Sequence, residues 1–96
     1  MPNEVNSINW KELPRLAPIF KALDEAKENS YSTVDAMPAD ISFCLYRLGY
    51  EYKKTKHFEE IRSVHLYYYG PDGIYTIMIN YVKLQVDLWF DPKETQ

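Results

Sequence analysis

"HLYYYGPDGIYTIMINY", residues 65–81, decides the fold class, because its pattern is typical of two strands joined by a tight turn. Pro71 presets φ for a turn and Gly73 accepts a positive φ, which predicts a hairpin between strands at residues 61–69 and 74–81. Large apolar or aromatic groups occupy both faces of these strands, although one face can bury only every second residue. The stretch therefore predicts either a sheet covered on both sides or an exposed aromatic surface that binds something.

Two registers fit this hairpin. A two-residue loop places Tyr68 opposite Tyr75, whereas a three-residue loop with a bulge at Gly73 places Tyr69 opposite Tyr75. The x-Pro-Asp-Gly sequence favours the three-residue loop. In both registers Tyr67 and Tyr69 share one strand face, and the opposite, more aliphatic face is the expected seat of the helices.

The chain on either side of the hairpin predicts further strands. Strict alternation of apolar and polar residues over 82–90 predicts a half-buried strand, and Asp91-Pro92 ends the sheet. One strand over residues 74–90 would be far longer than is typical, so we expect a turn at residues 80–83. Residues 50–56 are predicted to form an exposed edge strand that its charged residues protect from pairing with other chains, and residues 54–60 are expected to continue as a solvated loop.

Two helices precede the strands, at residues 14–28 or 18–28 and from Pro38 to a cap at Gly49. Residues 31–37 between them are predicted to form a polar link. The fold class is thus α+β, with two N-terminal helices packed on one face of a three- or four-stranded antiparallel β-meander. We expect a single domain over residues 1–96, with flexible tails at 1–8 and 93–96. The apolar stripes of the helices have three- and four-residue spacing: Leu16, Ile19, Phe20, Leu23 and Ala26, then Ile41, Cys44, Leu45 and Leu48.

Composition excludes several classes of protein. With 46% hydrophobic and 26% charged residues, the chain is typical of a globular domain rather than a disordered one. The single Cys44 cannot form an internal disulfide, which favours a reducing compartment. The first residues lack the basic segment and apolar run of a secretory signal, and no apolar run approaches the length of a membrane span. We therefore expect a soluble, cytoplasmic protein with no membrane partner.

Motifs for catalysis, metals or cofactors are missing from the sequence. His57, Glu59 and Glu60 lie close to His65 in sequence, but they lack the spacing of metal ligands. Cys44 lies on an apolar helix stripe, which is typical of a core residue rather than a nucleophile. All three glycines fall at predicted turns, so no phosphate-binding loop is present. We expect no enzymatic activity, no metal and no cofactor.

The aromatic content, 16% with nine tyrosines, is the feature that points to a function. Tyrosine offers a large contact area, few rotamers and a polar tip, and it is enriched at protein interfaces. We expect a protein-binding surface made of Tyr67, Tyr69 and Tyr75, with Trp89 on the neighbouring strand. The hairpin register decides which other residues join Tyr67 and Tyr69: Tyr75 and Ile77, or Ile74 and Met78. The leading hypothesis is a small acidic cytoplasmic protein-binding module of the inhibitor or immunity type.

Two alternatives stay open. A winged-helix or single-strand nucleic-acid-binding protein would use the segment in which aromatic residues alternate with bases: Tyr50, Tyr52, Lys53, Lys54 and Lys56. The formal charge of −3 disfavours such a partner. In the second alternative the aromatic surface is the interface of a homodimer, with a ligand site between the subunits.

Overall fold

The computed structural model describes residues 9–93, in which two α-helices and five β-strands are present. In chain order these are α1 (Ala17–Asn29), β1 (Tyr31–Val34), α2 (Pro38–Arg47), β2 (Glu51–Phe58), β3 (Ser63–Gly70), β4 (Gly73–Asn80) and β5 (Gln85–Pro92). All five strands belong to one antiparallel sheet with the order β1-β5-β4-β3-β2. The predicted α+β class is confirmed, but the expected strand number of three or four is wrong. The predicted flexible tails lie outside the described residues, apart from Lys93.

β1 accounts for the additional strand, since residues 31–37 are predicted from sequence to be a link. Its residues pair with β5, from Tyr31 opposite Trp89 to Val34 opposite Val86. Ser32 is buried and donates a hydrogen bond of 2.7 Å to the Ala22 carbonyl of α1. A strand of four residues that includes Ser32 and Thr33 is too short to give a period-two hydrophobic signal. Pairing with β5 stabilises this strand, and no local sequence pattern reveals a partner so distant in sequence.

The β3–β4 hairpin has the two-residue loop, so the three-residue loop favoured from its sequence is wrong. Gly70 lies opposite Gly73, and Tyr68 lies opposite Tyr75. In this register the Tyr75 ring is buried against Tyr50, and its hydroxyl donates a hydrogen bond to the Leu23 carbonyl of α1. These contacts join residues far apart in sequence, so the turn sequence alone does not display them.

The turn predicted near Asn80 is confirmed, because β4 ends at Asn80 and β5 begins at Gln85. The Asn80 side chain stabilises this turn by accepting hydrogen bonds from the backbone N–H groups of Val82 and Lys83, at 3.1 and 2.8 Å. Such a side chain satisfies the donors that a tight turn leaves unpaired. The turn converts the long apolar segment into two adjacent strands, which places Trp89 beside Thr76.

The edge position predicted for the segment after Gly49 is confirmed, because β2 is the outermost strand beyond β3. All of its residues except Thr55 are exposed. The register shifts between Tyr52 and Lys54, so Lys53 forms a β-bulge. Lysines and a bulge are both devices that discourage an edge strand from pairing with another chain. The bulge also decides which β2 side chains share a face, which matters for the candidate site.

The hydrophobic core lies against one face of the sheet, here called the inner face. Alternate residues of the strands form it: Ser32, Val34, Val64, Leu66, Tyr68, Tyr75, Ile77, Ile79, Val86, Leu88 and Phe90. The Tyr75 hydroxyl donates a hydrogen bond of 2.7 Å to the Leu23 carbonyl of α1, and the hydroxyls of Tyr68 and Ser42 of α2 are hydrogen-bonded. The helices contribute the predicted stripes, but Leu48 at the end of α2 is exposed.

Candidate protein-binding face

The opposite side of the sheet, here called the outer face, carries Tyr67, Tyr69 and Trp89. Strand pairing arranges its side chains in four rows that cross the sheet from β2 to β5. The rows are Glu51, Tyr69, Ile74 and Asp91; Lys54, Tyr67, Thr76 and Trp89; Lys56, His65, Met78 and Asp87; and Phe58, Ser63, Asn80 and Gln85. β1 extends the second row with Tyr31 and the third with Thr33. Three of the four predicted protein-binding residues therefore share this face.

Large rings on the outer face remain partly open to solvent. Tyr69 is 38% exposed, Trp89 39% and Tyr31 42%. Tyr67 is half-buried, so neither tyrosine of the predicted pair is enclosed within the chain. Thr76, which lies between Tyr67 and Trp89 in the same row, is buried. The side chains around Thr76 therefore cover it and still present apolar surface, which is the pattern of an interaction surface.

Charge is distributed unevenly across the outer face. On the β2 side, the Lys54 and Lys56 ammonium groups lie 5.4 and 5.8 Å from the centroid of the Tyr67 ring, within the range of cation–π attraction. On the β5 side, Asp87 accepts a hydrogen bond of 2.9 Å from Thr33, and Asp91 accepts one of 3.0 Å from the Trp89 indole. The outer face thus carries two lysines and Glu51 on β2 and two aspartates on β5, with uncharged residues of β3 and β4 between them.

His65 lies in the apolar part of the outer face. Its ring centroid is 4.5 Å from that of Phe58 and 6.5 Å from that of Tyr67. Burial lowers the pKa of His65, because the charged imidazolium is poorly solvated among these rings. A pKa below the ordinary value keeps the imidazole neutral at pH 7. His65 therefore contributes ring surface rather than charge to this face.

Tyr75, the fourth predicted protein-binding residue, does not belong to the outer face. The two-residue loop turns it to the inner face, where it is 1% exposed and its ring centroid lies 5.0 Å from that of Tyr50. Ile74 and Met78 take its place, as the two-residue register predicts. Sequence reasoning also misses Tyr31, because its segment is predicted to be a link, and Phe58, because its segment is predicted to be a solvated loop.

The residues proposed for nucleic-acid binding do not form one surface. Tyr50 is buried in the core, and its hydroxyl donates a hydrogen bond to Asp72. Tyr52 packs against Tyr68 on the inner-face side, with the ring centroids 5.7 Å apart. The bulge at Lys53 then sends Lys54 and Lys56 to the outer face. Of the five proposed residues, only these two lysines lie beside aromatic residues on the outer face. The same face also carries the two aspartates of β5.

Asp72 joins the hairpin loop to α1 and to the residue before β2. It accepts hydrogen bonds from the Tyr50 hydroxyl and the Lys27 ammonium. Burial by itself raises the pKa of Asp72, but the hydrogen bonds from Lys27 and Tyr50 outweigh that effect and lower the pKa. The hydrogen bond to Asp72 raises the pKa of Lys27, and burial raises the pKa of Tyr50. All three shifts fit a structural cluster that holds the hairpin against the helix.

The lowered pKa of Asp72 predicts a loss of stability in acid. Because the folded-state pKa lies below the unfolded-state value, ionised Asp72 stabilises the folded chain above about pH 4, and this contribution disappears as the pH falls through the folded-state pKa. We expect about 1 kcal/mol or less, since the ion pair with Lys27 is half exposed. Urea unfolding at pH 7 and pH 3 measures it, and Asp72→Asn should flatten the difference. Glu25→Gln, an exposed acid on α1, should not; equal flattening by both variants would contradict the assignment.

Reactive groups are few in the described part of the chain. Cys44 is fully buried, and burial raises the pKa of its thiol to about 11, which leaves it protonated at pH 7. Among residues 9–93, no three His, Cys, Asp or Glu side chains lie close enough to hold a metal ion. Over the same residues, neither helix is both long and apolar enough to cross a membrane. No family model, curated protein or solved structure matches this chain.

Proposed function

We propose that this chain is a small protein-binding module and that the outer face is its binding surface. The partial exposure of Tyr69, Trp89 and Tyr31 on a single face of the sheet is the observation that carries the proposal. Aromatic residues are enriched in protein interfaces, and they tend to supply most of the binding energy. These three rings lie on three different strands, and such a spread suits the broad surface of a protein partner.

The distribution of polar groups supports the same proposal. Protein interfaces usually have an apolar centre and a charged or polar rim. On the outer face the apolar groups of β3 and β4 form the centre, while Lys54 and Lys56 on one side and Asp87 and Asp91 on the other form the rim. Aligned charges at the rim would give a partner its orientation and its rate of association.

An inhibitor or immunity-type role is the more specific form of this proposal. Such a protein acts by covering a functional surface of its partner, and it needs no chemistry of its own. An aromatic face of four rows suits that mode of action, because it covers a broad area of the partner's surface rather than binding one chemical group. The captured partner itself would distinguish this role from a purely structural one.

Replacing both Tyr67 and Tyr69 with alanine should weaken binding by about 100-fold or more. Two interface tyrosines that each contribute about 1.4 kcal/mol or more account for a loss of that size. The matched control is Tyr46→Ala with Tyr52→Ala, because both rings are exposed and neither lies on the outer face. Capture of protein from an extract of the source cells by immobilised chain, followed by titration of the captured protein, measures the difference.

Circular dichroism has to confirm that both double variants remain folded. The proposal predicts a protein, a second copy of the chain included, that wild type and the control variant retain and the Tyr67/Tyr69 variant loses. If both double variants lose the captured protein equally, the outer face is not the binding surface. If the Tyr67/Tyr69 variant retains it with unchanged affinity, the proposal is also wrong.

A further inference from the structure

We infer that the protein bound by the outer face is a second copy of this chain, packed face to face about a two-fold axis parallel to the strands. The inference rests on the proposed function, since it names the occupant of the same face. Three features of the outer face support it: the order of its charges, the match between facing rows of the two copies, and its area.

The charges of the outer face are arranged so that the face complements itself. Lys54 and Lys56 lie on β2, Asp87 and Asp91 lie on β5, and β3 and β4 separate them. A two-fold axis parallel to the strands, between β3 and β4, reverses the order of the strands and keeps each row. β2 of one copy then lies over β5 of the other, and Lys56 faces Asp87 twice in the dimer. Complementary charges across an interface fix its register and suppress other arrangements.

Other arrangements of two copies bring like charges together. A two-fold axis in the plane of the interface but perpendicular to the strands would place β2 over β2 and β5 over β5, so that the strands with lysines meet each other and the strands with aspartates meet each other. A head-to-tail contact would leave one outer face uncovered and build open chains. In the favoured arrangement the one like-charged row contains Glu51 and Asp91. Glu51 already lies 3.4 Å from the Lys53 ammonium, which reduces that repulsion.

The apolar rows are also complementary under this axis. Tyr69 of one copy meets Ile74 of the other, His65 meets Met78, and Tyr67 meets Thr76. Thr76 is the smallest residue of its row and lies between its own Tyr67 and Trp89, so a Tyr67 ring from the second copy would pack over it and against those rings. Large groups therefore face smaller ones, and the neutral His65 brings no charge into the centre. Lys54 meets Trp89 of the second copy, a cation–π partner.

The area of the outer face suffices for a weak dimer. Four overlapping strands spaced about 4.8 Å apart, each of eight residues that rise about 3.3 Å, cover roughly 500 Å² as a flat footprint. Projecting side chains raise the accessible area above this, toward the roughly 800 Å² per partner of standard interfaces. An interface at the lower end of that range is expected to dissociate at micromolar concentration rather than nanomolar.

Charge exchange between Lys56 and Asp87 tests the arrangement in the full-length chain. Sedimentation or light scattering over a concentration series should show a monomer–dimer equilibrium for the wild type. Lys56→Glu alone and Asp87→Lys alone should each raise the dissociation constant about tenfold or more, because like charges then face each other twice. The variant with both changes should recover the dimer.

An equimolar mixture of the two single variants gives the sharpest result. On one side of the axis of the mixed dimer, the glutamate introduced at position 56 faces the lysine introduced at position 87. On the other side the native pair of Lys56 and Asp87 is kept, so association should return to near the wild-type level. Recovery of this kind cannot arise from misfolding of either variant. The matched control, Lys21→Glu, makes the same charge change on the exposed side of α1 and should leave the dimer intact.

A chain that stays monomeric at every concentration would overturn this inference. It would also be overturned if neither single substitution changed the dissociation constant of the dimer, or if the mixture of the two variants did not regain association. The proposed function is judged separately by the Tyr67/Tyr69 variant. If the wild type is monomeric but captures a different protein through those tyrosines, the protein-binding module stands and self-association falls. If neither association is found, both proposals fall.

Discussion

Replacing Gly73 with alanine should destabilise the fold by about 3 kcal/mol or more. A Cβ at this position would lie 2.3 Å from the Asp91 carbonyl oxygen and 2.7 Å from the Phe90 ring. The backbone oxygen belongs to the paired strand β5 and cannot move without breaking the sheet. The residue also has φ of 154°, where a side chain is strained. Since a domain of this size has about 5–10 kcal/mol of stability, much of it would be lost.

Gly49→Ala is the matched control for this prediction. Gly49 also has a positive φ, of 95°, but no atom lies within 4 Å of the position of its missing Cβ. Gly49→Ala therefore introduces backbone strain without a steric clash, and it should lower the free energy of unfolding by about 1–2 kcal/mol. Urea unfolding followed by tryptophan fluorescence compares the two variants. Equal losses at both glycines would contradict the close approach of β4 and β5 at Gly73.

Tyr75→Ala is the second large effect, with an expected loss of about 3–5 kcal/mol in the free energy of unfolding. The ring is fully buried between Tyr50 and Phe90, with centroid distances of 5.0 and 4.7 Å. Removing it leaves a cavity and eliminates the hydrogen bond to the Leu23 carbonyl. Tyr75→Phe isolates the second contribution, because it keeps the ring and loses only the hydrogen bond, at a cost of about 1–2 kcal/mol.

Tyr69→Ala provides the comparison on the outer face. Its ring is partly exposed and lies opposite Ile74, outside the core, so the same substitution should cost about 1 kcal/mol or less. Chemical denaturation of the two alanine variants at one pH measures the contrast. A larger loss at Tyr69 than at Tyr75 would contradict the two-residue loop, which places Tyr75 in the core and Tyr69 on the outer face.

Helix positions could be predicted from the sequence because their signals are local. α2 begins at Pro38 as predicted, where proline suits the first turn, and it ends just before Gly49. α1 begins at Ala17, so of the two predicted starts the later one, at Pro18, agrees with the structure. Ile41 and Leu23, each on a predicted apolar stripe, are fully buried. These features depend on residues three or four apart, which a single sequence displays directly.

The candidate site could be predicted only where it depends on alternation within one strand. Tyr67 and Tyr69 share a face in any register, because successive side chains of a strand point to opposite faces. Tyr75 depends on pairing between strands, and a shift of one residue moves it to the other face. In the observed pairing Tyr75 contacts Tyr50 and the Leu23 carbonyl, and no local pattern reveals contacts between residues so far apart. Tyr31 could not be predicted for the same reason, because its strand forms only through pairing with β5.

The pairing of β1 with β5 has a consequence for the chain as it leaves the ribosome. Thr33 and Asp87, which are hydrogen-bonded across this pair, are 54 residues apart, whereas the hairpins of β2 to β5 join neighbouring segments. Local hairpins form early, and long-range pairs wait for both partners. β1 therefore cannot join the sheet until β5 has been synthesised. Tyr31 and Trp89, whose ring centroids lie 6.4 Å apart, meet at that same moment, so a nascent chain acquires its complete outer face only when its fold is closed.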